Sequence, residues 1–313
     1  MRTLCLLALV LICTPFASKA MAEPVPLWFN SGMNNRDISF SPSGDVVLTT
    51  IVSPKNLFSA IAVSFRRDGK WSELEIAPFS GKYQDIEAFF TPDGSQVLFA
   101  SKRPKPDREG DDWDLWRVSY SKGDFGMPEA LPSVINSTGD EFYPSQANNG
   151  NLYFTATRNK ETREDIYRAV MEDGEYTRIE RLGDGVNSST WEFNAFIDPD
   201  ERYLIFGSQR REGEIGGGDL YISYRQSGKF QEAQILPDSV NTKRLDYCPL
   251  VFDNRFYFTS ERTTPIGSSI KNSFKSSKTN SPLNMKKLTA QFTSPGNGLG
   301  DVYSIPLSEI TNP

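Results

Sequence analysis

Apolar and polar positions along the chain repeat one motif about every fifty residues. The clearest copies are DIEAFFTPDGSQVLFASKR from Asp85, DEFYPSQANNGNLYFTATR from Asp140, WEFNAFIDPDERYLIFGSQR from Trp191 and DYCPLVFDNRFYFTSER from Asp246, with a fainter DISFSPSGDVVLTTIVS from Asp37. Each is an apolar run, a turn rich in Pro, Asp, Asn or Gly, and a second run of alternating aromatic and β-branched residues, which predicts a hairpin. A third strand follows a polar loop in four copies: DLWRVSY from Asp114, DIYRAV from Asp165, DLYISY from Asp219 and DVYSIP from Asp301. A weaker fourth strand then leads to the next copy. Four antiparallel strands repeated around an axis make an all-β fold, a β-propeller, and the length fits five blades. The last copy has only three strands. PLWFNSGMNNRD from Pro26 matches the repeat ends LPSVINSTGDE from Leu131, LGDGVNSSTWE from Leu182 and LPDSVNTKRLD from Leu236. Residues around Val25 to Phe29 are therefore expected to supply the missing strand and close the ring.

Ahead of the repeats, Arg2 precedes an apolar run from Leu4 to Cys13, and Ala20 and Ala22 place small residues where a signal peptidase reads. Residues 1–22 read as a cleaved secretory signal and 23–313 as a single propeller domain, periplasmic or secreted, with no transmembrane segment in the mature chain. Cleavage leaves Cys248 as the only cysteine, so no internal disulfide forms, and its apolar surroundings mark it as a small buried hydrophobe.

The TPDG and NNG turns, the S-x-R ending of the second strand and the D-[IL]-[WY] opening of the third resemble the WD-like β-propeller repeats of the TolB type. INSTGDEFYP from Ile135 and GGGDLYIS from Gly216 are similar to copies in bacterial envelope proteins. The resemblance spans roughly Pro26 to Ile305. It implies the propeller fold and an envelope setting. For function it implies a range only, from protein-binding platforms to sugar-active enzymes and gates attached to peptidases.

Composition narrows that range. The chain has no histidine, which excludes a Ser-His-Asp triad, a His-ligated zinc or haem and imidazole acid-base chemistry. No metal and no cofactor are expected. The net charge of −6 becomes −8 once Arg2 and Lys19 leave with the signal, which disfavours nucleic acid.

Four residues past the second-strand aromatics Phe99, Phe154, Phe206 and Phe258 stand Arg103, Arg158, Arg210 and Arg262. The same four blades carry an aspartate opening the third strand (Asp114, Asp165, Asp219, Asp301) and an acid near the start of the first (Asp85, Glu141, Glu192, Asp246). The first blade lacks all three, with Ser53, LFSA from Leu57 and Asn35 in their places. Residues present or lost together are expected to touch, each arginine bridging both acids of its blade.

Departures from the repeat are the better ground for function. Thr263 to Gly300 is an insertion of low complexity that carries Lys271, Lys275, Lys278, Lys286 and Lys287 and no acid. It is not expected to pack on its own. With Trp113, which has no counterpart in the other copies, these lysines are the candidate binding residues. The leading expectation is a monomeric, non-catalytic platform for a protein or envelope component. The alternative is a glycoside hydrolase with Asp37, Glu87, Glu141, Glu192 and Asp246 as candidate catalytic carboxylates at the channel mouth.

Overall fold

The computed structural model describes residues 21–26, 29–30, 32–105, 110–158, 163–263 and 285–311. They form a five-bladed β-propeller of four antiparallel strands per blade. From the axis outward, the first three strands are Asn34–Phe40, Val46–Val52 and Ser59–Arg67 in blade 1, and Asp85–Phe90, Gln96–Ser101 and Asp114–Ser121 in blade 2. Blade 3 has Glu141–Gln146, Leu152–Ala156 and Asp165–Glu172; blade 4 has Trp191–Ile197, Tyr203–Gln209 and Asp219–Gln226; blade 5 has Asp246–Phe252, Arg255–Ser260 and Asp301–Pro306.

The fourth strand is continuous in blade 3, Glu175–Arg181, and split into two short pieces in blades 1, 2 and 4. In blade 5 its place is held by Glu23–Pro24, with Glu23 opposite Ser304 and Pro24 opposite Tyr303. That pairing falls just ahead of the expected Val25 to Phe29, because Phe29 N and Asn30 N both donate to Pro26 O and turn the chain there.

Burial follows the layering. Leu152–Ala156 is buried throughout, as a strand covered on both faces by neighbouring blades must be, whereas Glu175–Arg181 has no fully buried residue. The core is a set of slabs between blades. Leu48, Ile61 and Val63 meet Phe90, Val97, Phe99 and Trp116; Leu98 and Leu115 meet Phe154 and Tyr167; Tyr153 and Ile166 meet Leu204 and Phe206. The largest slab joins blades 4, 5 and 1 and takes in Val25 and Phe29.

A buried asparagine marks the end of four of the five repeats. Asn136 Nδ2 donates to the carbonyls of Leu131 and Leu115, and its Oδ1 accepts from Leu115 N. Asn187 does the same with Leu182 and Ile166, Asn241 with Leu236 and Leu220, and Asn30 with Val25 and Val302. In blade 1 Ser80 accepts from Ile61 N instead.

Every innermost strand also shifts register partway along: between Arg36 and Ser39, Ile86 and Phe89, Phe142 and Ser145, Phe193 and Phe196, and Tyr247 and Leu250. These five bulges re-aim side chains toward the axis. Of the insertion, residues 264–284 lie outside the described residues, and with them Lys271, Lys275 and Lys278. Within the segment Met285–Phe292 is an α-helix. Among the described residues no helix is long and apolar enough to cross a membrane.

Candidate functional site

The bulge places Asp37, Glu87, Tyr143, Asn194 and Cys248 at one equivalent position of the five blades. All five have left-handed backbone, with φ of 50°, 62°, 47°, 48° and 51°. A side chain pays steric strain there, of order 1 kcal/mol or more, and such strain gathers at functional sites. Five blades of one design thus present two carboxyls, a phenol, an amide and a thiol at the axis.

These side chains bond to one another. Glu87 accepts from the Arg36 guanidinium, from Asn194 Nδ2 at 3.1 Å and from Tyr143 N at 2.8 Å. The amides of Asp37, Glu87 and Asn194 donate to the hydroxyls of Thr259, Thr50 and Thr155 on the second strand of the preceding blade. Blade 2 has Ala100 at that second-strand position, and Tyr143 N turns to the Glu87 carboxylate instead. Cys248 Sγ donates to Asn194 Oδ1 at 3.6 Å, and Tyr143 Oη donates across the ring to Pro249 O at 2.9 Å.

Electrostatics at the axis is governed by burial. Asp37, with Thr50 N on one oxygen and Glu87 N on the other, is pushed up to about 7 by desolvation against the opposing pull of Arg36. Burial likewise raises the Cys248 thiol and the Tyr143 phenol well above their ordinary ranges, so both stay protonated at neutral pH.

Above this floor opens a funnel of about 390 Å³, within the range of small-molecule sites. Its wall is made by the residues just before the axial ones, Arg36, Ile86, Phe142, Phe193 and Tyr247, and by Glu164, Trp191 and Gln209 higher up. The Glu164 carboxyl accepts no hydrogen bond from any described residue. Burial, reinforced by the charges of Glu87 and Asp140, raises it to about 7. A larger hollow of about 700 Å³ on the opposite face, between blades 2 and 3, is lined by hairpin turns whose polar groups satisfy one another, Thr91 and Ser95 with Asp93, and Gln146 with Tyr176. It holds none of the strained residues.

The candidate carboxylates divide. Asp37 and Glu87 are axial; Glu141, Glu192 and Asp246 stand two positions earlier in the repeat, inside their blades, and do not line the funnel. The five belong to two different registers. Glu141 lies 3.8 Å from Arg158, Glu192 3.8 Å from Arg211 and Asp246 3.4 Å from Arg262, matching Asp85 with Arg103 at 2.7 Å.

Arg210 departs from its expected place. Its backbone is left-handed, φ 63°, which turns the side chain outward over Trp191, and Arg211 takes the internal position. The internal arginines bond the carbonyls of Phe79, Val134, Val186 and Val240 and lie over paired aromatics such as Phe258 and Tyr303.

None of them reaches the third-strand aspartate, which corrects the expected bridge between two acids. Asp114 pairs with Lys105, Asp165 with Arg181 at 2.7 Å, and Asp219 and Asp301 accept loop amides from Ile215 and Gly296. The strand ladder sets those aspartates beside Ser101, Ala156, Ser208 and Ser260, and Arg103 and Arg262 turn their Nε to the serine hydroxyls and their Nη to the first-strand acid instead.

Trp113 packs on Phe142, ring centres 5.8 Å apart, with Lys102 Nζ over it; it backs the funnel wall without lining it. Lys286 is exposed on the helix, and the Lys287 side chain lies outside the described residues. The sequence reading missed Arg36, Tyr143, Glu164, Trp191 and Asn194 as site residues. The signal was present, since all five occupy repeat positions where the copies differ, Glu164 standing where other blades have Trp113, Gly218 and Gly300.

No protein-family model and no curated protein matches the chain. Among solved structures it is similar to the GH93 α-L-arabinofuranosidase of Fusarium graminearum in complex with arabinobiose, at 11% identity and TM-score 0.49 over 90% of this chain and 78% of that one. It is similar to the α-L-arabinanase of Penicillium chrysogenum at 11% identity and TM-score 0.47, over 89% and 78%. A puromycin-hydrolysing peptidase of Mycobacterium tuberculosis gives 16% identity and TM-score 0.40 over 78% of this chain, which spans only 37% of that enzyme's length. The neighbours thus include glycoside hydrolases and peptidases.

Proposed function

We propose that the axial funnel binds a carbohydrate and that the protein is an exported saccharide-binding propeller acting on an envelope component. One observation carries this reading: two carboxyls, a phenol, an amide and a thiol are held at five equivalent strained positions beneath an aromatic wall, with Arg36, the Tyr143 backbone N–H and Asn194 bonded around Glu87. A sugar ring offers apolar C–H faces to Phe142, Phe193, Tyr247 and Trp191, and hydroxyls to the carboxyl and amide groups below. A cavity of about 390 Å³ fits one or two sugar rings rather than a protein segment of interface size.

Calorimetric titration with neutral and acidic oligosaccharides tests this. The wild type is expected to bind at least one, and Trp191→Ala and Asn194→Ala to weaken it at least tenfold while the fold is kept. Binding that survives both variants, or no binding at all, refutes the reading and returns attention to a protein partner. A second reading, glycosidic hydrolysis, is favoured by Glu164, a carboxyl facing the funnel and raised to about 7, as a general acid requires. Release of reducing ends that falls as pH rises through about 7 and is lost in Glu164→Gln supports it; binding without release discards it.

A further inference from the structure

We infer that the ligand is an acidic saccharide whose anionic group is held by Arg163 and Arg210 at the mouth of the funnel. This rests on the saccharide reading and gives it a charge.

The argument starts from blade 4. In blades 2, 3 and 5 the arginine four residues past the second-strand aromatic turns inward onto its own acid. In blade 4 that task passes to Arg211, and left-handed backbone at Arg210 sends its guanidinium over the Trp191 ring, Cζ 4.7 Å from the centre. Arg163, from the loop between the second and third strands of blade 3, lies over the same ring at 3.4 Å. Trp191 belongs to the funnel wall, so both cations stand at its edge.

Neither guanidinium makes an ion pair with a described residue. Arg210 bonds to Glu214 only through its backbone N–H. Two like charges gathered on one ring repel each other, and the described acids nearby, Glu214 and Glu164, form an ion pair with neither. An oxyanion bound beside them at the mouth relieves that repulsion, and the planar fork of each arginine matches its oxygens. Beneath them the carboxylates are prepared for such a ligand: Glu87 is paired with Arg36, and Glu164 is held near its neutral form by burial. The ring hydroxyls can therefore descend to the floor while the anionic group stays at the mouth.

Calorimetry with a trigalacturonate, its carboxyl-reduced neutral counterpart and a sulfated neutral trisaccharide tests this on the wild type, Arg210→Gln and Arg163→Gln. The wild type is expected to bind trigalacturonate at least tenfold tighter than the reduced form. That preference should shrink severalfold between about 20 and about 200 mM salt, as screening requires. Each variant should lose most of the preference while keeping its affinity for the neutral form. Tight binding of the sulfated sugar together with the uronate supports a general oxyanion site; uronate alone narrows it to carboxylates. Equal or tighter binding of the neutral form, or a preference unchanged in both variants, overturns the inference and leaves the saccharide reading standing. Failure of all three sugars to bind overturns both.

Discussion

Replacing three arginines one at a time separates those that hold a blade together from the one that has left it. Arg103 is buried, with Nη2 2.7 Å from Asp85 Oδ1 and 3.1 Å from Phe79 O, and Nε 2.8 Å from Ser101 Oγ. Arg103→Ala leaves the buried Asp85 carboxylate with only the Ser80 and Ser101 hydroxyls, and breaking such a pair costs about 3–5 kcal/mol. Arg211 sits farther from its acid, 3.8 Å from Glu192, and makes one hydrogen bond of 3.1 Å to Val186 O. Glu192 keeps Ser188 N and three hydroxyls without it, so Arg211→Ala costs about 2 kcal/mol. Arg210 is exposed and stacks on Trp191 only, so Arg210→Ala costs under about 1 kcal/mol. For a domain of this size each kcal/mol lowers the thermal midpoint by about 2–4 °C. Scanning calorimetry should then show losses of about 6–20 °C, about 4–8 °C and under about 4 °C in that order. If Arg210→Ala falls as far as Arg211→Ala, the exchange of roles in blade 4 is wrong.

Two further outcomes are expected. Asn30→Ala removes three buried hydrogen bonds joining the N-terminal turn to the last strand, a loss of about 3 kcal/mol; a urea midpoint matching the wild type would mean that this segment does not close the ring. Asp37 is raised from 3.8 to about 7, so between these values the folded chain holds a proton the unfolded chain lacks. Its contribution to stability therefore falls as pH rises through that window and is level above it. Asp37→Asn escapes this penalty, and its midpoint relative to the wild type should climb between pH 5 and 8; a constant difference contradicts the burial of that carboxyl.

The repeat was legible because it is written in apolar periodicity, which each blade must satisfy to pack on its neighbours. The hairpins from Asp85, Trp191 and Asp246 begin where the pattern places them. The axial site was legible only in part. Asp37 and Glu87 were found by their charge, but Tyr143, Asn194 and Cys248 share their position without sharing chemistry. The bulge that aligns them is a backbone event with no residue signature. For the same reason Glu141, Glu192 and Asp246 looked axial: they are acids two residues early, and only the register shift shows which of two nearby positions reaches the axis. The exchange of Arg210 for Arg211 was hidden by adjacency, since the two residues are identical in type and only the backbone angle at Arg210 selects between them.

The bonds around Glu87 also change how the disc resists unfolding. Apart from the small axial cluster of Tyr143, Tyr247 and Cys248, its slabs of apolar packing join each blade to the next, a string of nearest-neighbour interfaces bent into a circle. Asn194 to Glu87 and Tyr143 to Pro249 are chords of that circle, tying blade 4 to blade 2 and blade 3 to blade 5. With chords in place, a single blade cannot peel away without disturbing two others. A ligand that grips these groups is then felt by the whole circumference at once, and occupancy of one small funnel becomes a property of the entire disc's cooperativity.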